Sequence, residues 1–180
     1  MTPTARRAQL EFIFNGAAVL RYHTTPPIRP QTDGAHSFGV AWLVWMLTEG
    51  TCSRELILAA LAHDLAEHQT GDLSAMAKRF GDIGTQLDQL EKAHLATVGL
   101  DFSLSPEEQN VLQLADKIEG MMFCISERRL GNQDAELWFN RYASYAAQLP
   151  AAGVAKELLV IIFEMWEEVC PNTIALTYGR

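Results

Sequence analysis

Four residues between positions 36 and 116 have the types needed to hold one divalent metal ion: His36, the adjacent pair His63 and Asp64, and Asp116. Two imidazoles and two carboxylates supply borderline-hard nitrogen and oxygen donors that suit transition metals, and they leave positions for water and a substrate. A His-Asp pair alone also occurs on ordinary solvated helices. Here it closes an almost unbroken apolar run, Leu56-Ile57-Leu58-Ala59-Ala60-Leu61-Ala62. A helix leaving the interior at that point buries polar groups that need a partner, and a cation is one such partner.

Other residues could complete a reactive site. Glu67 follows His63 by four positions, so on one helical face its carboxylate reaches the metal's surroundings without being a ligand. That placement suits proton transfer, although a solvated helix-end acid has the same spacing. Asp72 follows Gly71, whose freedom in φ allows a turn back toward the site. It could hold a second metal or a substrate sugar, and a plain Gly-Asp turn is the alternative. Arg21 suits a bidentate phosphate contact, and Lys78 and Lys117 offer further positive charge. Tyr22 could stack on a base or serve packing. His23, His68 and His94 are read as non-ligands.

The elements that must position these residues read as helices, and no run alternates as a strand does. The fold expected is all-α, a single domain over residues 1–180 made of about six to eight helices. The expected helices cover residues 4–20, 34–49, a segment capped by Ser53 that ends near His63, 83–98, 105–130, 134–148 and 151–168. In the first, Leu10, Phe12, Ile13, Ala17 and Leu20 form the apolar face. Ser105, Pro106 and Glu108 form a capping-box start. Around Asp116, the residues Val111, Leu112, Leu114, Ala115, Ile118, Met121 and Met122 mark a largely buried helix. Between the first two helices, residues 21–33 hold three of the seven prolines. They form a stiff irregular loop of the kind that usually serves function. Trp138, Phe139, Tyr142 and Tyr145 read as core or interface rather than as a base-binding set.

Composition narrows the choices. The chain has 180 residues, 48% of them hydrophobic, enough for one substantial core. Its formal charge of -8, without a basic block, argues against a duplex nucleic acid partner. Cys52, Cys124 and Cys170 are odd in number and far apart, which fits a reducing cytoplasm rather than a disulfide framework. Neither a signal peptide nor a membrane span is expected.

Taken together, these residues resemble the HD-domain metal-dependent phosphohydrolases, whose signature is His, then His-Asp, then a distant Asp. The resemblance is to the small branch of bacterial 5'-deoxynucleotidases and phage dATP triphosphohydrolases. It extends to Arg21-Tyr22, to the block His63-Asp64-Leu65-Ala66-Glu67-His68-Gln69-Thr70-Gly71-Asp72-Leu73, and to Leu114-Ala115-Asp116. Two departures stand out: Tyr22 occupies a position often held by Trp, and Ala35 stands where an acidic residue often precedes the first ligand.

The resemblance implies a metal set of His36, His63, Asp64 and Asp116, with Glu67 and Asp64 catalytic and Arg21, Tyr22, Asp72 and Lys78 toward substrate. It implies a divalent cofactor (Co, Mn, Zn, Mg or Fe), a deoxynucleotide substrate and a homo-oligomer, dimer or larger, in the cytoplasm, the host's if the protein is phage-encoded. The expected reaction is conversion of dATP to deoxyadenosine and triphosphate. The alternatives are a 5'-deoxynucleotidase acting on deoxynucleoside monophosphates, a hydrolase of signalling nucleotides, and a non-catalytic nucleotide sensor.

Overall fold

A computed structural model describes residues 1–171, excepting the side chains of residues 75 and 76. The last nine positions of the expected domain, 172–180, lie outside the described residues. The described residues are all-helical, in the order α1 (Pro3–Ala17), α2 (Asp33–Leu47), α3 (Arg54–Ala62), α4 (Glu67–Thr70), α5 (Ala75–Lys78), α6 (Ile83–Thr97), α7 (Pro106–Arg129), α8 (Ala135–Ala146) and α9 (Val154–Val169). Seven are substantial helices, and α4 and α5 are single turns.

Local chemistry sets the starts. Thr32, Ser53 and Ser105 each turn a hydroxyl onto a free amide of the first turn, at Ala35, Leu56 and Glu108 respectively. Glu108 returns the bond to the amide of Ser105, closing the capping box that the sequence suggests.

Two expectations need correction. The first helix ends at Ala17 rather than near 20, because Leu20 leaves it to pair with Thr32 in an isolated antiparallel bridge. Leu10, within α1, and Leu20, beyond it, are both exposed, while Phe12 is buried. The helix before Glu67 is also interrupted. α3 stops at Ala62, and Leu65 and Glu67 donate to the carbonyls of Ala62 and Asp64 through a tight turn. Glu67 is therefore delivered by a turn and not along one continuous helical face.

The core that matters for the site joins α2, α3 and α7. Val40 and Val44 from α2, Leu56 and Ala60 from α3 and Ala115 from α7 are buried together. His36 is one turn from Val40, His63 follows Ala60 by three positions, and Asp116 is next to Ala115. The methyl side chains of Ala60 and Ala115 let α3 and α7 come close, so the packing that closes this cluster also gathers the polar residues at its edge. A second cluster ties α7 to α8 and α9, with the rings of Phe139 and Trp166 stacked 4.0 Å apart.

The proline-rich segment is a strap tied at three places. Arg21 N donates to Gln31 O and Asp33 N to Val19 O, each at 3.0 Å, which pairs its two ends. Tyr22, in a left-handed conformation, donates its amide to Asp72 Oδ2 at 3.0 Å. The middle of the strap is held by Glu127 of α7, a fully buried carboxylate. It accepts from Ile28 N at 2.6 Å, Arg29 N at 3.0 Å and Asn132 Nδ2 at 2.9 Å. Three N–H donors facing an acceptor-only group satisfy its charge without a counterion. No helix among the described residues is long and apolar enough to cross a membrane.

Replacing Glu127 by Ala strands three donors, each costing about 1–3 kcal/mol when buried and unmet. A loss of stability of at least ~3 kcal/mol is expected in urea unfolding.

Candidate metal centre and cleft

The strap and three helices bring distant donors to one point. His36 Nε2 lies 3.2 Å from His63 Nε2, 3.5 Å from Asp64 Oδ2 and 3.2 Å from Asp116 Oδ1. His63 Nε2 is 3.4 Å from the same Asp64 oxygen. Metal–ligand bonds of about 2.1 Å put neighbouring donors of a tetrahedral or octahedral ion about 2.9–3.4 Å apart. The spacings therefore match adjacent positions around one cation. His36, His63 and Asp64 form the tight set, and Asp116 joins through His36 while its second oxygen is bonded to Lys117.

Each imidazole is fixed by its other nitrogen. His36 Nδ1 faces Glu119 Oε2 at 2.5 Å, and His63 Nδ1 donates to the carbonyl of Ala60 at 2.8 Å. Such bonds set the tautomer and turn Nε2 toward the metal position. Glu119 is itself held by Gln31 Nε2 at 2.8 Å. Sequence reading missed both residues. Ala35 leaves the position before His36 without an acid, and Glu119, one turn beyond Asp116 on α7, orients the ring instead. The spacing of Asp116 and Glu119 on one helical face was the available signal.

The electrostatics call for positive charge. Burial and Arg21 press the His36 pKa down, yet its bonds to Asp116 and Glu119 and the charge of Asp64 raise it to about 9. Burial works against ionisation of Asp64, but His63, Arg21 and His36 overcome it and bring the carboxyl down to about 2. For Asp116, Lys117 and the His36 bond likewise outweigh burial and hold the group well below the usual carboxylate range. Burial lowers His63, as a neutral ligand imidazole requires. A proton on His36 here meets the demand that a bound cation would meet in its place.

Beside this centre opens a cleft of about 240 Å³. Its floor holds Asp64, Glu67 and Asp116, and Arg21, Lys78, Lys117 and Arg141 bring positive charge to its walls. Glu67 is almost wholly buried; its Oε1 accepts from Lys78 Nζ at 3.3 Å and its Oε2 has no hydrogen-bond partner. Burial, then the neighbouring Asp64 charge, raises its pKa to about 9 against the pull of Lys78.

Arg21 Nη1 donates to Asp64 Oδ2 at 2.6 Å, inside the metal centre. Tyr22 and Asp72 meet each other on the strap side of the cleft. The Tyr22 ring stacks with Phe123 at 5.0 Å and Trp138 at 5.1 Å, and its hydroxyl bonds that of Tyr142 at 2.7 Å, so packing occupies it. Gly120 makes room for this pair, since a Cβ there would stand 2.6 Å from the Tyr142 ring.

Trp138, Tyr142 and Tyr145 also line the cleft, so three of the four aromatics that read as core or interface border the site. Arg79 lies over the Tyr145 ring at 4.6 Å. Among the residues set aside, His68 packs edge-on to Phe12 and bonds the Leu65 carbonyl, away from the donor cluster.

Comparison with known proteins agrees with the all-helical fold. Residues 18–97, somewhat less than half of the chain, match the family model of the HD domain. No curated protein sequence matches it significantly. Among solved structures it is similar to the PH0347 protein of Pyrococcus horikoshii OT3, with a TM-score of 0.68 and 20% identity over 88% of this chain and 97% of that one. It is also similar to the HD phosphohydrolase DatZ of cyanophage S-2L, solved with dA and one catalytic Zn2+ ion. That match has a TM-score of 0.63 and 18% identity over 89% and 96% of the two chains.

If Glu119 orients His36, Glu119→Ala weakens metal binding by about 10–100-fold. Calorimetric titration with Zn2+ or Mn2+ measures the change.

Proposed function

We propose that the protein is a metal-dependent hydrolase of deoxynucleoside 5'-phosphates, acting on dATP to release deoxyadenosine and triphosphate. The carrying observation is the set of three donors from His36, His63 and Asp64 within 3.2–3.5 Å of one another, with Asp116 3.2 Å from His36, at the edge of a cleft that also holds Glu67 and four cationic side chains. His36, His63, Asp64 and Asp116 would hold the metal. When bound, a divalent cation supplies an acidified water and a counter-charge for phosphoryl oxygens. A site of two imidazoles and two carboxylates fits Zn, Mn, Co or Fe, with Mg favoured less by its nitrogen donors.

The chain's own groups supply the rest. Arg21 and Lys78 bind phosphate oxygens, and Lys117 and Arg141 extend that charge along the cleft, as a polyphosphate requires. Glu67 takes a proton from the attacking water and passes it to the departing 5' oxygen as the bond between that oxygen and the α-phosphorus breaks. The water's oxygen stays on the triphosphate. Burial and Asp64 raise this carboxyl's pKa to about 9 in the metal-free protein; the charge of a bound cation would bring it down toward neutrality, where the group can both accept and return a proton. Asp64 takes part as a ligand, Asp72 fixes the strap, and the aromatic wall of Trp138, Tyr142 and Tyr145 offers the nucleoside an apolar surface. The deoxyadenosine found in the similar cyanophage enzyme supports the choice of nucleoside.

The three cysteines are free thiols, which supports a cytoplasmic setting. A homo-oligomer belongs to the same proposal. Phe38, Trp42 and Trp45 form an exposed aromatic stripe on α2, 63%, 53% and 49% exposed, of the kind that marks an interface. Sedimentation should show more than one copy per particle, and a monomer at all concentrations removes that part.

The reaction is tested by supplying dATP and dAMP to protein loaded with Mn2+, Co2+, Zn2+ or Mg2+. Intact triphosphate from dATP is expected; phosphate from dAMP alone assigns a 5'-deoxynucleotidase instead, and no turnover of any nucleotide leaves a sensor. Glu67→Ala should lower kcat by roughly 10²–10⁴-fold, the usual contribution of a positioned acid–base group, with metal binding retained.

A further inference from the structure

Among the described residues, Asp33 is the one fully buried carboxylate whose two oxygens both lack a hydrogen-bond partner. Its neighbour Arg21 has a matching deficit, because its Nε is buried and unpartnered as well. Arg21 Nη1 stands 3.8 Å from Asp33 Oδ1, beyond hydrogen-bond reach, because the guanidinium is drawn the other way to Asp64 Oδ2 at 2.6 Å. A guanidinium presents Nε–H and Nη–H as a planar fork that fits both oxygens of a carboxylate. Arg21 and Asp33 thus hold the two halves of an unmade fork. The Arg21 to Gln31 and Asp33 to Val19 bonds already hold the two segments side by side, and the 3.8 Å gap between the side chains is within reach of a rotation of the guanidinium.

The Asp64 oxygen that Arg21 occupies is also the one 3.5 and 3.4 Å from the two imidazole Nε2 atoms. It is the oxygen a cation at this centre would take, and a guanidinium beside that cation is repelled by it. We propose that Asp33 is the second anchor of Arg21: when a divalent cation takes Asp64, the guanidinium turns from Asp64 and closes its fork on Asp33. Asp33 is then a positioning residue. It keeps Arg21 at the cleft, with its outward N–H groups aimed at phosphate, instead of releasing it to solvent. Cation binding and phosphate binding become coupled, the cation entering first. The inference rests on the metal centre of the proposed function.

A rival use of the same residues is visible. Single oxygens of Asp33, Asp64 and Glu67 lie within 4.8 Å of one another and could hold a cation themselves. Calorimetric titration with MnCl2 separates the two on the wild type, Arg21→Ala, Asp33→Asn and the double variant. The expected result is one ion per wild-type chain, tighter binding by Arg21→Ala, which lacks the competitor, and binding about 10-fold weaker in Asp33→Asn. In the Arg21→Ala background Asp33→Asn should change nothing further. An equal loss in both backgrounds means that Asp33 acts by charge alone and overturns the proposal. A second ion per chain that disappears in Asp33→Asn makes it a ligand and does the same.

Absence of any ion on the wild type takes down the metal centre itself, whereas a wild-type ion with unaltered Asp33→Asn affinity takes down only the anchor. The wild type also gives a test that needs no variant. On adding Zn2+, the Arg21 Nε–H resonance should move downfield and its exchange with water should slow. An unchanged resonance in zinc-loaded protein overturns the proposal.

Discussion

The centre depends on two imidazoles being unable to turn. Each has its Nδ1 committed, His36 to Glu119 and His63 to the carbonyl of Ala60, so both present Nε2 to the same point 3.2 Å apart. The two restraints differ in kind. The Ala60 carbonyl is free at the end of α3 because the helix stops at Ala62. Glu119 comes from the middle of α7 and is reached across the α2 and α7 contact, where Gly39 leaves it room: a Cβ there would stand 2.8 Å from Glu119 Cγ. A helix end and a glycine gap together set the direction of two ligands.

Charge is distributed unequally about that point. Asp33, Asp64, Glu67, Asp116 and Glu119 crowd one side, while Arg21, Lys78, Lys117 and Arg141 border the opening. In a low-dielectric interior the acids cannot all remain ionised without cations among them, which is why Asp33 is pushed up to about 7 by burial and Asp64, and Glu67 higher still. Such crowding of acids costs stability and leaves a local field that favours positive charge at the centre. A chain with a net charge of -8 thus concentrates four cations at one opening.

Residue type and helical spacing made much of this legible. The capping box at Ser105 and the apolar faces of α2 and α7 are local patterns, and local patterns survive without coordinates; that His36, His63, Asp64 and Asp116 come together depends on how those faces pack. What escaped depends on packing between elements. Glu119 and Gln31 are ordinary surface types until α2 and α7 meet. Asp33 closes the segment expected to be irregular, 21–33, and instead begins α2 as a fully buried carboxylate with both oxygens unpartnered. The aromatics of α8 look like core from periodicity, and the same stripe that packs Trp138 inward also forms the wall of the cleft. The break at Ala62 was hidden because the sequence there continues to favour helix while the i to i+3 bonds of the turn take over.

The hold of Glu127 on the strap has a bearing on how the chain assembles. Its bonds to Ile28 and Arg29 join residues 99 and 98 positions apart, and its third donor, Asn132, lies past the end of α7. Closing so long a loop costs entropy that only finished packing repays, so the strap settles after α7 and the turn that follows it are in place. Arg21 rides on that strap. The ion pair between Arg21 and Asp64 is thus completed late in folding, and an incompletely folded chain that has gathered His36, His63 and Asp116 still lacks the arm that borders the cleft.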